Sequence, residues 1–313
     1  MTDVYRSLEI ILPRQVINFT KNHNISENNG ETIITMAKKP YFFGKYYKCI
    51  AADSFSFALI DSRSEEGYAK QLITAEGSYQ ITDLNAIKVD DQGIKIDLHE
   101  NGLTVVGNVR FGAFHPLRKK AMGPFSIFSM ECSHEVYSMY HSLSGSIVFN
   151  GKVHSFDDGY GYIEGDSGTN FPSQYIWYNS VGRDYGLTVA IATIPFGPIK
   201  FTGLLGFVIY NGKEYDLTTY NFAKIRKIAE DEIQISKNSY RLTLRLGNAG
   251  GHMLKAPVNG TMNRFIKENL ATPTEFTFEK GDSVILSRKD PLSSLEMEYT
   301  VGKKASSDTD NIK

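Results

Sequence analysis

The sequence of 313 residues has little cysteine, little tryptophan and almost no net charge. It contains two cysteines and one tryptophan, and its formal net charge at pH 7 is −1. Because a balanced charge gives no electrostatic attraction to phosphates, we expect no nucleic-acid partner. Cys49 and Cys132 have neither metal-ligand nor redox spacing, which indicates reduced core residues in a cytoplasmic protein. A disulfide between them is the alternative.

We also expect neither a signal peptide nor a membrane-spanning helix from this sequence. Its first residues have no basic segment followed by a long apolar core. The most apolar stretch, residues 187–210, has Lys200 as its only charge and is interrupted by Pro195, Gly197 and Pro198. A membrane helix needs about 20 largely apolar residues. The stretch therefore predicts two buried strands around a Pro/Gly corner and no integral membrane span, and it leaves transient contact with a lipid surface open.

Signals for β structure are abundant. Asn-Gly, which supplies the positive φ of tight hairpin turns, begins at Asn101, Asn150 and Asn211, each between apolar or alternating runs. Residues 240–246 alternate between apolar and polar, and only residues 262–270 have the spacing of a short helix. Many short strands joined by hairpin turns predict an all-β protein, an antiparallel sandwich or barrel with very little helix.

Two of the hairpins resemble each other and suggest an internal repeat. Residues 145–156 read GSIVFNGKVHSF, and residues 206–217 read GFVIYNGKEYDL. The likeness predicts two β-rich halves related by a repeat; the alternative is that any two Asn-Gly hairpins look alike. We place an N-terminal extension at residues 1–39, the first half at 40–180, the second half at 181–301 and a polar, disordered tail at 302–313.

The most unusual local mixture lies in residues 161–179, which read GYIEGDSGTNFPSQYIWYN and include the only tryptophan. If this stretch is extended, its side chains alternate between two faces, and Phe171-Pro172 restarts the chain as a second strand. The residues that share a face are Tyr160, Tyr162, Glu164 and Asp166 on the first strand, and Tyr175, Trp177 and Asn179 on the second. Two carboxylates beside four aromatic side chains form a candidate site; the alternative is an acidic, solvent-facing edge above a core tryptophan.

Residues 122–141 add a second set of polar side chains among aromatic and methionine residues. They include Glu131, His134, Glu135 and His141, and charged groups in such surroundings are either exposed or have shifted pKa values. His134 and His141 are seven residues apart, which places them on opposite faces of a continuous strand. The seven histidines have no metal-ligand spacing, so we expect no metal. No phosphate loop or nucleophile elbow is present, and we expect no cofactor.

The order of these motifs resembles the tocopherol cyclase-like family. Residues 161–180 are similar to the family's signature of Glu-Lys-Asp-Trp-Gly, then Phe-Pro, then Trp-Ile-Trp. The resemblance extends to residues 41–48, 122–125, 130–134, 138–145 and 254–264 and to Glu268. It therefore covers roughly residues 41–298, in the family's order.

The resemblance implies two lipocalin-like β halves that enclose an apolar pocket for a lipophilic small molecule. Plant and cyanobacterial members close a prenylated hydroquinone into a chromanol ring. In the acid-catalysed form of that reaction, a proton reaches a trisubstituted alkene and the phenol oxygen captures the tertiary cation. Such a site needs a desolvated acid, aromatic faces and exclusion of water. Burial keeps a carboxyl group protonated near neutrality.

On this chemistry we expect Glu164 to donate the proton, with Asp166 or His134 tuning it. The ligand-binding residues expected around them are Tyr162, Trp177, Tyr160, Phe171, Asn179, Glu131 and His141. Two tryptophans of the family's pattern are Ser167 and Lys45 here, which predicts a larger or more polar pocket. The alternatives are a non-catalytic lipid-binding protein on the same scaffold and a sugar-binding β-sandwich that uses exposed tyrosines and Trp177.

Overall fold

The chain divides into two compact units, residues 1–40 and residues 41–313. A computed structural model describes residues 23–28, 31–36, 41–127, 130–196, 199–248 and 250–299. In the first unit, strands β1 (His23–Asn28) and β2 (Glu31–Met36) pair as an antiparallel hairpin. The predicted tail at residues 302–313 lies outside the described residues.

The second unit consists of two antiparallel sheets of ten strands each. The first sheet contains β3 (Phe42–Ile50), β4 (Ser56–Ser64), β5 (Gly67–Thr74), β6 (Ser78–Ile81), β7 (Ile87–Val89), β8 (Gly93–Glu100), β9 (Leu103–Phe111), β10 (Cys132–Phe149), β11 (Lys152–Ser155) and β12 (Tyr160–Gly168). The second contains β13 (Tyr175–Val181), β14 (Tyr185–Phe196), β15 (Ile199–Tyr210), β16 (Lys213–Asp216), β17 (Lys224–Ile228), β18 (Glu232–Lys237), β19 (Tyr240–Leu246), β20 (His252–Val258), β21 (Thr261–Lys280) and β22 (Ser283–Glu298). Short 3-10 turns at Gly123–Ile127 and Thr219–Asn221 are the helical elements of the described residues. The predicted all-β fold of two lipocalin-like antiparallel halves is confirmed.

The three predicted Asn-Gly turns are confirmed. Asn101, Asn150 and Asn211 have φ values of 54°, 47° and 49°, and the glycine after each also has positive φ. These turns join β8 to β9, β10 to β11 and β15 to β16. Positive φ at both central residues is the geometry whose twist matches that of paired strands, so the dipeptide fixes these hairpins locally.

The long apolar stretch forms the predicted pair of strands. β14 and β15 pair antiparallel over their full lengths, and Leu187, Val189, Ile191 and Val208 are buried. Among the described residues, no helix has the length and apolar character needed to cross a membrane.

The predicted helix at residues 262–270 is wrong, because this stretch is part of strand β21. Met262, Ile266 and Leu270 are buried, and Glu268 between them is buried as well. A spacing of four residues fits one face of a helix and also one face of a strand, since four is a multiple of two. Pairing with β20 and β22 decides in favour of the strand.

The two sheets share one strand order along their main paths and differ in the strand that lies off the path, β11 in the first sheet and β20 in the second. The first runs β6-β5-β4-β3-β12-β10-β9-β8-β7, and the second runs β16-β15-β14-β13-β22-β21-β19-β18-β17. The two similar hairpins, β10-β11 and β15-β16, nevertheless hold different positions in this order, so their likeness reflects the turn alone. The chain passes from the first sheet to the second between Gly168 and Tyr175. Strand β13 contains the predicted boundary near residue 180 and belongs to the second sheet.

Three hydrophobic clusters fill the second unit. One lies within the first sheet and includes Phe57 and Ile163, and another lies within the second and includes Phe276. The third combines side chains from both sheets, among them Tyr46 and Trp177. The rings of Tyr46 and Trp177 meet edge to face, with centroids 5.2 Å apart. The functional site lies beside this cluster between the sheets.

Candidate functional site

Strands β12 and β13 bring the predicted site residues to the space between the sheets. Their side chains alternate as the sequence predicts: Ile163 packs into the first sheet's cluster, whereas Tyr162 packs into the cluster between the sheets. On β13, Ile176 packs into the second sheet's cluster and Trp177 faces the first sheet. Both strands are central in their sheets and mostly buried on both faces. The solvent-facing interpretation is therefore wrong for Glu164, which is buried, while Asp166 is partly exposed.

Glu164 is the buried acid of this site, with 5% of its surface exposed. Its Oε2 atom accepts hydrogen bonds from the Tyr162 hydroxyl at 2.5 Å and from Trp177 Nε1 at 2.9 Å. Burial raises the pKa of Glu164 to about 7, against the opposing effects of the His134 imidazole and these two hydrogen bonds. Glu164 therefore exchanges a proton near neutral pH, where a general acid is most effective.

His134 lies between the two carboxylates of β12. Its Nδ1 atom is 3.1 Å from Asp166 Oδ1, and its Nε2 atom is 3.7 Å from Glu164 Oε2. Burial alone would lower the pKa of His134, but the two carboxylates raise it to about 9. At neutral pH the imidazole is therefore a cation, and it stabilises the ionised form of Glu164. Of the two predicted tuning partners, His134 therefore lies beside Glu164, and Asp166 lies beside His134.

The same three side chains form the one group of His, Cys, Asp and Glu residues, within the described part of the chain, whose possible metal-ligand atoms lie within 4.8 Å of one another. A histidine that binds a metal must be neutral and must have a free ring nitrogen. Here each nitrogen of His134 faces a carboxylate, and the pKa of its ring is raised.

An apolar cavity of about 130 Å³ opens beside these residues. Its polar wall holds His134, Glu164 and Asp166. The rest is largely apolar and includes Met122, Phe125, Phe171, Ala190, Ala192, Ile194 and Leu205. We refer to this space as the main cavity, and its lining is typical of a site for a lipophilic ligand.

A second cavity of about 60 Å³ lies against the same acids. Glu164, Asp166, Phe171 and Glu296 line both cavities. The second cavity is also bordered by Lys45, at one of the positions where the family's pattern has tryptophan, together with Tyr46, Lys255 and Met262. The predicted polar character at Lys45 is thus located in this smaller space.

The second sheet contributes two buried acids that sequence reasoning did not assign to the site. Glu296, on β22, is 8% exposed, and its Oε2 atom accepts a hydrogen bond from the Tyr175 hydroxyl at 2.6 Å. Glu268, on β21, pairs with Glu296 in the register and is fully buried. Neither carboxylate oxygen of Glu268 has a partner within ordinary hydrogen-bond geometry among the described residues, although the Tyr46 hydroxyl is close enough to favour its ionised form. Burial raises the pKa of Glu268 to about 7 and the pKa of Glu296 well above its usual value.

A buried lysine lies in the same polar region. Lys48 is fully buried on β3, and its Nζ atom donates a hydrogen bond to the Leu292 carbonyl at 2.6 Å. Burial lowers the pKa of Lys48 to about 8, while Asp290 and Glu268 favour its charged form. Lys48 borders neither of the two cavities. Its positive charge favours the ionised form of Glu268.

Of the seven predicted ligand-binding residues, three line the main cavity, one lies beside its acid and three lie away from both. Trp177, Phe171 and Glu131 line the main cavity, and Tyr162 lies behind Glu164 as a hydrogen-bond donor. The remaining three lie away from the site. Tyr160 packs against the cluster between the sheets, and the Asn179 amide donates a hydrogen bond to the Leu187 carbonyl at 3.3 Å. His141 packs against Phe111 and Phe114. His134 lines the main cavity, whereas His141, which was expected among the ligand-binding residues, does not.

Comparison with known proteins shows a shared fold. CghA, solved with Sch210972, superposes with a TM-score of 0.54 at 8% sequence identity, covering 84% of this chain and 90% of CghA. A second structure of CghA gives 0.53, also at 8% identity. Kievitone hydratase from Nectria haematococca gives 0.49 at 9% identity, covering 83% of this chain and 90% of the hydratase. The sequence matches no protein-family model and no curated protein.

Proposed function

We propose that this protein binds a lipophilic small molecule in the main cavity and closes a ring in it by acid catalysis, with Glu164 as the proton donor. The observation that carries the proposal is a buried carboxyl group, with its pKa raised to about 7, on the wall of an apolar cavity. The resemblance to the tocopherol cyclase-like family supports a prenylated hydroquinone as the substrate class.

The proposed reaction uses these groups in two steps. Glu164 transfers its proton to the less substituted carbon of a prenyl double bond, which forms a C–H bond and leaves a tertiary cation. The phenol oxygen then forms the C–O bond, and its proton is released to restore the acid. The faces of Trp177 and Phe171, which line the cavity, stabilise the cation. No co-reactant is consumed, since the product is an isomer of the substrate.

Two alternatives differ from this proposal in what they expect of the site. A non-catalytic lipid carrier needs the apolar cavity but has no need for a protonated acid in its wall. CghA, which shares the fold, was solved with a small molecule, and this likeness supports ligand binding in general. A sugar-binding sandwich needs an exposed aromatic platform, and Trp177, only 6% exposed, argues against it.

The test combines turnover and binding in one pair of proteins. We expect purified wild-type protein to convert a prenylated hydroquinone into an isomeric chromanol, detected by chromatography and mass spectrometry. Glu164→Gln should reduce turnover about 10²–10⁴-fold, the usual range for a general acid. Its affinity for an apolar fluorescent probe should stay within about threefold, a difference under 1 kcal/mol.

Glu275→Gln is the matched control, because Glu275 is a half-exposed strand glutamate that pairs with Lys289. This variant should keep wild-type turnover. Full turnover in Glu164→Gln would contradict the assignment of the acid. Wild-type binding without turnover would favour the lipid carrier, and absence of probe binding would contradict both lipophilic functions.

A further inference from the structure

The second sheet carries a carboxyl group at the position that matches Glu164. When the sheets are matched strand by strand, β3 corresponds to β13 and β12 to β22. Glu164 on β12 pairs with Tyr46 on β3, and Glu296 on β22 pairs with Trp177 on β13. Each sheet therefore presents an aromatic side chain and a glutamate, side by side, to the space between them.

Both glutamates border the ligand space from opposite sheets. Glu296 lines the main cavity and the second cavity, as Glu164 does. Glu268, the other buried acid of the second sheet, lines neither. Among the acids of the second sheet described here, Glu296 is thus the one placed to touch a bound ligand in both spaces.

The surroundings of Glu296 hold its carboxyl group in one orientation. The Tyr175 hydroxyl donates to Oε2 at 2.6 Å, and the nearby Arg264 forms its ion pair with Glu298 at 3.5 Å. Burial, and after it the neighbouring Glu268 carboxylate, raises the pKa of Glu296 well above its usual value, which favours the neutral form of the carboxyl group. A neutral carboxylic acid offers one hydroxyl donor and one carbonyl acceptor, so it recognises an oxygen atom by hydrogen bonding.

We propose that Glu296 is a positioning residue that hydrogen-bonds an oxygen atom of the ligand, so that the natural ligand is a lipophilic molecule with a hydroxyl or carbonyl group beside its apolar chain. The inference rests on the proposed function and names the residue that holds the oxygen atom of its substrate. An oxygen held by one sheet, facing an acid on the other, keeps the nucleophile near the double bond that Glu164 protonates. Orientation of this kind lowers the entropic part of a ring-closure barrier.

The test uses two ligands that differ only in the presence of one hydroxyl group. The affinities of a prenylated phenol and of the corresponding prenylbenzene are measured by displacement of an apolar fluorescent probe from the full chain. We expect wild-type protein to prefer the phenol by about tenfold or more, as one buried hydrogen bond allows. Glu296→Leu should lose this preference while binding the prenylbenzene as tightly as wild type. Glu296→Gln, which keeps a donor and an acceptor, should retain it.

Glu298→Gln provides a matched control, because Glu298 lies two residues away on the same strand and borders neither cavity. Its ligand preference should equal that of wild type. An equal loss of affinity for both ligands in Glu296→Leu would show a purely structural role and overturn the proposal. No preference in wild type, or an unchanged preference in Glu296→Leu, would also overturn it.

Infrared difference spectroscopy gives a second readout that does not depend on the leucine variant. The C=O band of a protonated carboxyl group should shift when the phenol binds and should stay in place when the prenylbenzene binds. This shift should be missing from Glu296→Gln; its persistence there would contradict the assignment. Both measurements report binding and not turnover. A protein that binds the phenol through Glu296 but closes no ring would therefore contradict the proposed function without contradicting this inference.

Discussion

The first and second sheets place matching rows of side chains against each other, but the two rows differ in chemistry. The row of the first sheet contains Ile60, Tyr46, Glu164 and Val136 on β4, β3, β12 and β10. The row of the second contains Ala190, Trp177, Glu296 and Glu268 on β14, β13, β22 and β21. A glutamate follows an aromatic residue in both, so the repeated scaffold provides two buried acids in equivalent places.

The acids differ in the charges beside them. Glu164 has the imidazole of His134 at 3.7 Å, which favours its ionised form. Glu296 has a tyrosine hydroxyl and, in its own row, a further acid at Glu268 where the first sheet has Val136. The pKa of Glu164 is raised to about 7, whereas that of Glu296 is raised well above its usual value. Burial is the largest cause of both shifts, and the cation beside Glu164 opposes it whereas the acid beside Glu296 adds to it.

Replacing Glu268, the acid of the second row where the first row has Val136, should have the largest effect on the free energy of unfolding. The pKa of Glu268 is raised from 4.5 to about 7 by burial, so its contribution to stability is fully present below pH 4.5 and is lost as the pH rises through about 7. Glu268→Gln stays neutral throughout. At pH 8 we expect the variant to exceed wild type by about 1–3 kcal/mol in the free energy of unfolding, measured by urea denaturation.

The comparison at low pH separates this effect from a change in packing. Near pH 4.5, where the Glu268 carboxyl is protonated, the two proteins should have similar free energies of unfolding. Glu275→Gln, at a half-exposed site on the same strand, should change stability by less than about 0.5 kcal/mol at either pH. Parallel stability curves for wild type and Glu268→Gln would contradict the account of the second row.

A smaller effect is expected from removing His134, the cation beside the acid of the first row. His134 lowers the pKa of Glu164, so His134→Gln should raise that pKa above about 7. Because the acid must be protonated to act, the fall of kcat/KM with rising pH should move to higher pH in the variant. The measurement is the pH profile of ring closure for both proteins.

Arg264→Gln is the corresponding change in the second sheet, since Arg264 pairs with Glu298 and not with Glu164. It should leave the midpoint of the profile where wild type has it. A profile that shifts equally in both variants would indicate a general electrostatic change and would remove the special role of His134.

Local sequence patterns predicted much of the first half of the site. The alternation from Tyr160 to Asp166 placed Tyr162 and Glu164 on one face, because a strand has a period of two whatever its partners are. The Asn-Gly turns were predictable for the same reason, since positive φ is a property of those residues themselves.

The second half of the site was not predictable, because it depends on which strands become neighbours. Glu268 and Glu296 are 28 positions apart in the chain, yet they pair across β21 and β22. The four-residue spacing around Glu268 also matched a helix, so the alternation that buries it was missed. Residues 294–298 alternate as residues 162–166 do, and this pattern was the one sequence signal that could have identified Glu296.

The central claim is that Glu164 carries a proton near neutral pH, and the fluorescence of Trp177 tests it most directly. Trp177 is the only tryptophan of the chain, and its Nε1 atom is 2.9 Å from Glu164 Oε2. Its emission, excited where tyrosine does not absorb, should therefore report the charge of that carboxyl group. We predict a transition with a midpoint at pH about 7 in wild type and in Glu296→Gln, and none there in Glu164→Gln. A midpoint at the ordinary glutamate value of 4.5, or a transition that persists in Glu164→Gln, would contradict the account.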